Sequence, residues 1–220
     1  MLRPGSCEEF KRDNRTFLSV PNSHYFSSKP SSRDERGKIE SVLRGKRYSF
    51  ITSQGVFSAK RVDTGTRVLV DNMLIPEDGC FLDLGCGIGV IGIVAARESP
   101  GLSVCLSDVN PRAVKLTRLN VQRLGLKNCT VYEGHIFDPL EDLLFEAIVS
   151  NPPISAGMHK VVYPMVAGAY EQLVYRGMLQ MVIQSNKGGK MLAGFFDEVF
   201  GSHEVLAIKS GYRVLTAVKL

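Results

Sequence analysis

No stretch of this 220-residue sequence approaches the ~18 consecutive apolar residues that a membrane-spanning helix requires. Met1 to Arg15 is charged and lacks an apolar centre, so no secretory signal is expected there. The five cysteines, Cys7, Cys80, Cys86, Cys105 and Cys129, are odd in number and form no CxxC pair. That excludes a paired redox motif and points to reduced core thiols in a cytoplasmic protein. The four histidines, His24, His135, His159 and His203, are scattered without the spacing of a zinc site, and no metal is expected. Internal repeats and low-complexity tracts are also missing.

What is present is an ordinary apolar share, 44%, enough for one large α/β domain with some appended material. The charge is uneven. Residues 1–70 hold 14 Lys and Arg against 7 Asp and Glu, a balance of +7, while the remainder holds 13 against 15, so that the whole carries +5. A basic front end on a near-neutral body suits landing on a polyanion such as RNA, or simply makes a solvated face.

The N-terminal third reads as a polar extension over residues 1–24, a loop from Tyr25 to Ser32, a short helix from Lys38 to Gly45, and strand or hairpin over Tyr48–Ser58. Val62–Met73 has apolar spacing suited to a helix. Strand and helix then alternate. The predicted strands are Cys80–Leu84, Val104–Ser107, Thr130–Glu133 and Ala147–Ser150, with helices over Val90–Glu98 and from Pro111 to Gly125. A long helix is expected at Glu171–Ser185 and a closing strand at Tyr212–Val218. Between them, Lys190–Phe196 reads either as a fifth strand or, from the spacing of Leu192, Phe195, Phe196 and Val199, as a helix, with a slight preference for the strand. Such alternation predicts a mostly parallel sheet with helices on both faces.

Two motifs carry chemistry. The run Asp83-Leu84-Gly85-Cys86-Gly87-Ile88-Gly89 ends a strand and opens a helix, and its glycines let backbone approach a ligand near the free amides of the helix start. Asp108 stands 19 positions after Gly89, at the tip of the next strand, where a carboxylate can accept from both hydroxyls of a ribose. Gly87-Ile88-Gly89-Val90-Ile91-Gly92 also matches the dinucleotide fingerprint, so an NAD-dependent oxidoreductase is an alternative. Asp83 weighs against it, because a carboxylate facing the ligand would repel a pyrophosphate but not the cationic end of S-adenosylmethionine.

The second motif, Ser150-Asn151-Pro152-Pro153, follows the apolar run Phe145–Val149 and has no role in hydride transfer. An amine or amide nitrogen conjugated to a π system is a poor nucleophile. Two acceptors aimed at its N–H bonds, the Asn151 side-chain oxygen and the Pro152 carbonyl, would free its lone pair. Pro152 and Pro153 stiffen the turn, and Ile154 is placed to pack on the flat face of the target. Together the motifs point to methyl transfer from S-adenosylmethionine to a planar nitrogen.

On these residues, with Gly55-Val56-Phe57-Ser58, Asp108-Val109-Asn110-Pro111-Arg112-Ala113 and Gly211-Tyr212-Arg213-Val214-Leu215, the chain resembles class I S-adenosylmethionine-dependent methyltransferases. More narrowly it resembles the small methyltransferases related to the ribosomal small-subunit RNA guanine-N2 enzymes. The resemblance runs from about Tyr25 to the end. It implies a Rossmann-like seven-stranded sheet with a reversed last strand, a basic segment over 25–75 packing on the core, and a donor-binding domain over 76–220. It implies donor contacts from Phe57, Ser58, Asp83, Gly85, Cys86, Gly87, Gly89, Asp108, Val109, Asn110, His135, Ile136 and Asn151, and catalysis at Asn151, Pro152, Pro153 and Ile154. Its substrate would be a guanine amine in ribosomal RNA. A glutamine side chain in a protein is an alternative substrate, and a non-catalytic cofactor-binding module an alternative role. Three departures stand out: His135 replaces an acidic residue, Ile154 an aromatic one, and the segment after Gly189 is about a dozen residues shorter than the resemblance leads one to expect, as if the fifth strand were weakened. Asn110 and Arg112 read as a helix-start pair rather than as catalytic residues.

Overall fold

The computed structural model describes residues 36–56 and 60–220. The expectations for the extension over 1–24, for the Tyr25–Ser32 loop and for Phe57 and Ser58 lie outside the described residues.

The described chain opens with a hairpin of β1 (Arg36–Leu43) and β2 (Lys46–Ser53). This corrects the helix expected over Lys38–Gly45. Along β1, Ile39, Ser41 and Leu43 are buried while Lys38, Glu40 and Val42 are exposed, which is the two-residue period of a strand with one covered face. Arg44 and Gly45 both have positive φ, 46° and 75°, as a two-residue hairpin turn demands. Helix α1 (Thr64–Asn72) follows, its N-terminus capped by the Asp63 carboxylate, which accepts from the Thr66 amide.

Seven strands then form one sheet in the order β5-β4-β3-β6-β7-β9-β8. They are β3 (Asp78–Leu84), β4 (Gly101–Asp108), β5 (Cys129–Glu133), β6 (Phe145–Ser150), β7 (Leu173–Gln184), β8 (Glu204–Lys209) and β9 (Tyr212–Val218). The pairings are parallel from β5 across to β7, and β9 runs antiparallel to both its neighbours. Helices α2 (Val90–Glu98), α3 (Pro111–Arg123), α4 (Tyr163–Gln172) and α5 (Gly189–Phe200) complete the fold. The expected seven-stranded, mostly parallel sheet with a reversed last strand is present.

Alternation along the strands divides the core in two. Phe81, Val104, Leu106, Ala147, Val149, Val182 and Val214 join a cluster with α1, α2 and α3 and the hairpin. Cys80, Leu82, Leu84, Cys105, Ile148, Leu179, Met181 and Leu215 face the other way, onto α4 and α5. Helices therefore cover both faces, and strands buried on two sides read as nearly continuous apolar runs.

That double burial explains the main correction. The helix expected at Glu171–Ser185 is instead the end of α4 followed by β7, twelve residues long and seated between β6 and β9. A run such as Met178–Ile183, covered on both sides and polar only at Gln180, does not reveal its period. The preferred strand over Lys190–Phe196 is likewise overturned. It belongs to α5, with Leu192, Phe195, Phe196 and Phe200 buried on one stripe. The fifth strand is thus neither weak nor missing, and the shortened segment removes nothing from the sheet.

Among the described residues, no helix is long and apolar enough to cross a membrane.

Candidate functional site

Strands β3, β4, β5 and β6 end together, and a cavity of about 240 Å³ opens at their carboxyl ends. This is the crevice where a parallel sheet reverses its winding direction, the usual ligand position in such folds. One wall is the glycine loop. The Gly85 and Cys86 amides both donate to the Ser107 carbonyl, at 2.8 and 2.9 Å, which pins the loop across the end of β4. Gly85 and Gly87 have φ of 77° and 58°, and a Cβ added at either would meet nothing within 4 Å. A side chain there would project into the space that the backbone leaves open.

Asp108 lines the cavity and holds the loop to the next helix. Its carboxylate accepts from the Gly87 amide at 2.8 Å and from the Asn110 amide at 2.8 Å. Burial raises its pKa above the ordinary carboxylate value, against the lowering effect of those amide bonds. Asn110 caps α3 by accepting from the Arg112 amide, and Arg112 donates to the Gln54 carbonyl. The helix-start reading of this pair agrees with that geometry.

Asp83 is placed differently from the expectation. Fully buried, it does not line the cavity. It lies beneath the loop, where one carboxylate oxygen accepts from the Gly92 amide in the first turn of α2 at 2.8 Å and the other has no partner. Burial pushes its pKa up to about 7, the helix-start amide opposing this. The argument that Asp83 repels a pyrophosphate by direct facing therefore falls. Cys86 is buried, 3.7 Å from the Thr117 hydroxyl, and lines a smaller neighbouring cavity rather than the main one. Gly89 is the N-cap of α2 and lies behind the loop.

The other wall is the Asn-Pro-Pro turn. Asn151 borders both cavities together with Gly85 and Gly87, so the two motifs meet. Its amide nitrogen donates to the Thr66 hydroxyl at 3.0 Å and to the Asp63 carboxylate at 3.3 Å. The side-chain oxygen, on the opposite side of a planar amide, accepts no hydrogen bond from the described residues. Pro152 and Pro153 line the cavity, and the Pro152 carbonyl accepts from the Ile154 amide at 2.9 Å, closing a tight turn. Ile154 begins a short 3-10 turn and packs on the α4 side of the core, outside the cavity lining. Val109, Asn110, His135 and Ile136 all line the cavity.

Several contributors were missed from sequence. Ser150 donates to the Leu84 carbonyl at 2.7 Å, tying the asparagine turn to the start of the glycine loop. Thr66 and Asp63 orient Asn151 from more than 80 positions away. Val161 and Met165, from a π-helical turn (Met158–Val162) and α4, form an apolar wall. Ser107 lines the cavity, and its buried hydroxyl has no partner among the described residues. Only Ser150 carried a sequence signal, as a neighbour of the motif.

The sheet order, the reversed strand and the cleft at the switch point define a class I, Rossmann-like methyltransferase. A family model described as the methyltransferase small domain matches residues 47–216. The chain belongs to the methyltransferase small domain family, whose members are S-adenosylmethionine-dependent enzymes of this class. It is 36% identical to the uncharacterized protein YbxB of Bacillus subtilis (strain 168), over 90% of this chain and 98% of that one. It is 34% identical to ribosomal RNA small subunit methyltransferase C of Enterobacter sp. (strain 638), over 76% of this chain and 48% of the relative. The chain thus spans about half the length of that enzyme. In structure it is similar to a T. thermophilus 16S rRNA N2 methyltransferase, RsmC, in complex with AdoMet and guanosine: TM-score 0.75, 24% identity, 87% of this chain and 52% of that one. Family membership sets aside the dehydrogenase reading.

The residues present fit S-adenosylmethionine. The open space over Gly85 and Gly87 takes a ligand against bare backbone, and Asp108 offers further acceptor capacity beside an apolar wall.

Proposed function

We propose that this chain transfers a methyl group from S-adenosylmethionine to the exocyclic N2 amine of a guanine in ribosomal RNA. One observation carries the reading. Asn151 lines the cleft with its amide nitrogen committed to Thr66 and Asp63, which fixes the orientation of the planar amide and leaves its oxygen available as an acceptor. An acceptor held in that way can take an N–H bond of a planar amine and draw nitrogen lone-pair density out of the ring.

The donor supplies a methyl group already activated on a positively charged sulfur, so the protein's work is binding and orientation. Gly85 and Gly87 would carry it on bare backbone, and Asp108 would accept from its ribose hydroxyls. Val109, Asn110, His135 and Ile136 would surround the adenine, with Phe57 and Ser58 assigned to the methionine end by the family resemblance. The Pro152 carbonyl retains a lone pair beyond its bond to Ile154 and would serve as the second acceptor. Pro153, rather than Ile154, offers the base an exposed apolar face at the cleft. The similarity to the small subunit methyltransferase C enzymes supports RNA as the substrate.

Incubation with methyl-labelled S-adenosylmethionine and unmodified small-subunit RNA, then nuclease digestion and mass spectrometry, tests the assignment. N2-methylguanosine is the expected product. Label found on a protein glutamine, or on another nucleoside, would replace it.

A further inference from the structure

Beyond Asn151 the carboxyl end of the sheet continues over β7, β9 and β8, and several segments meet there. Ser185, just after β7, donates its amide to the Gly211 carbonyl at 2.8 Å, in the turn between β8 and β9. Arg213 Nε reaches the Ser185 hydroxyl at 3.4 Å. Tyr212 packs on the start of α1, where a Cβ added to Gly65 would lie 2.9 Å from its ring. That helix start carries the Asp63 and Thr66 side chains that orient Asn151. On the other flank, Met158 touches Gly188, since a Cβ there would lie 3.3 Å from its sulfur, and Val161 of the same π-helical turn lines the cleft. The surface past the cleft is therefore one continuous shelf.

The shelf is basic. Lys187 and Lys209 are exposed on it, Arg213 is half-buried, and Arg61 is exposed two residues ahead of Asp63. No Asp or Glu occurs between Leu173 and Phe196, or from Val205 to Leu220. The acids that flank these segments face other groups. Asp63 accepts from Thr66 and Asn151, Asp197 meets His203, and Glu198 accepts from Tyr163. The four cations come from three separate stretches of chain, so the fold gathers them.

We infer that this shelf binds the phosphodiester backbone of the single RNA strand that carries the target nucleotide into the cleft. The inference rests on the reading of RNA as substrate and adds where the strand lies. A nucleotide whose amine reaches Asn151 leaves its neighbours outside the cleft, on the side away from the donor. The donor wall takes the ends of β3, β4 and β5, so the ends of β7, β9 and β8 are left for the strand. With strands about 4.8 Å apart, the way from β6 to β8 is roughly 14 Å, room for more than one phosphate along a track of cations.

The test is the triple variant Arg61→Gln, Lys187→Gln, Lys209→Gln, measured by fluorescence anisotropy with a labelled single-stranded RNA over a range of salt concentrations. RNA affinity should fall about tenfold or more at low salt, and the slope of log affinity against log salt should flatten by about 2, roughly 0.7 per cation removed. S-adenosylmethionine affinity and Tm should stay unchanged, which shows that the cleft is intact. A control variant, Arg47→Gln, Arg123→Gln, Lys127→Gln, removes the same charge from exposed positions at the amino end of the sheet and should change little. Unaltered affinity and slope in the shelf variant, or an equal loss in the control, overturns the inference, and N2-methylguanosine formed in that case leaves the guanine reading standing. RNA binding with a shelf-dependent slope but no methylated guanosine would instead overturn the guanine assignment and leave the shelf standing.

Discussion

The two walls of the cleft are built in opposite ways. The glycine wall holds itself together over short sequence distances. Its amides bond to Ser107 and Asp108, about 20 positions on, and Gly89 donates to the Cys86 carbonyl within the loop. The asparagine wall is held from outside. Asn151 takes its orientation from Asp63 and Thr66, 88 and 85 positions earlier, on a helix that the N-terminal hairpin clamps in place. Arg44 reaches over to the Val70 and Met73 carbonyls, and Arg67 reaches back to Val42 and Ser41. Gln180 of β7 holds both the amide and the carbonyl of Leu74 just beyond that helix. One wall binds with locally fixed backbone. The other aims a side chain that only long-range packing can fix.

Variants on either wall should separate binding from transfer. The largest effect is expected from Asn151→Ala, which removes the acceptor. Methyl transfer should fall about 10²–10³-fold, the scale for losing a positioned polar group at a reacting centre, while S-adenosylmethionine affinity measured by calorimetry is retained. Loss of affinity with transfer preserved would reverse the roles of the two walls. Gly87→Ala acts on the other wall. An alanine at φ 58° costs about 1–2 kcal/mol, and its methyl group enters the cleft. The donor Kd should therefore rise roughly tenfold or more, with denaturation showing that stability loss. Thr66→Val removes the closer of the two acceptors of the Asn151 amide. A loss of about 1 kcal/mol in positioning predicts a five- to tenfold fall in kcat and an unchanged donor affinity.

On transfer itself the least effect is expected beneath the glycine wall, where the change is a pH dependence of stability. Burial raises Asp83 from 3.8 to about 7. With the folded-state pKa above the unfolded one, the neutral acid stabilises the fold at low pH, and that contribution is lost as pH rises towards 7. Asp83→Asn retains an acceptor for the Gly92 amide and cannot ionise. Its Tm relative to wild type should rise across pH 4 to 7, and a constant difference would show that Asp83 is ionised throughout.

The same division governs what could be read from sequence. Helix α2 was legible at both ends, because Gly89 and the Ser99-Pro100-Gly101 break are local signals. The start of α3 was legible from Asn110 and Pro111. Strand β1 was misread although its alternation was present, since eight residues with charges on one face also suit a short helix. Strand β7 could not be read, because a strand covered on both sides shows no period. The whole of β8 was missed. It is an edge strand with a register shift between Val205 and Ala207, and Val205 and Ile208 remain exposed, so its burial shows no regular alternation.

The sequence by itself determined where a backbone bend, an acid at a strand tip and a proline-stiffened turn must lie, since each depends on φ limits and amide supply within a few residues. Tertiary structure alone decided which carboxylate meets the cleft. Asp83 and Asp108 look alike in sequence, yet strand alternation turns Asp83 under α2 and leaves Asp108 at the rim. It also decided that Asn151 is aimed by Thr66, because a side chain is oriented by whatever packing brings beside it.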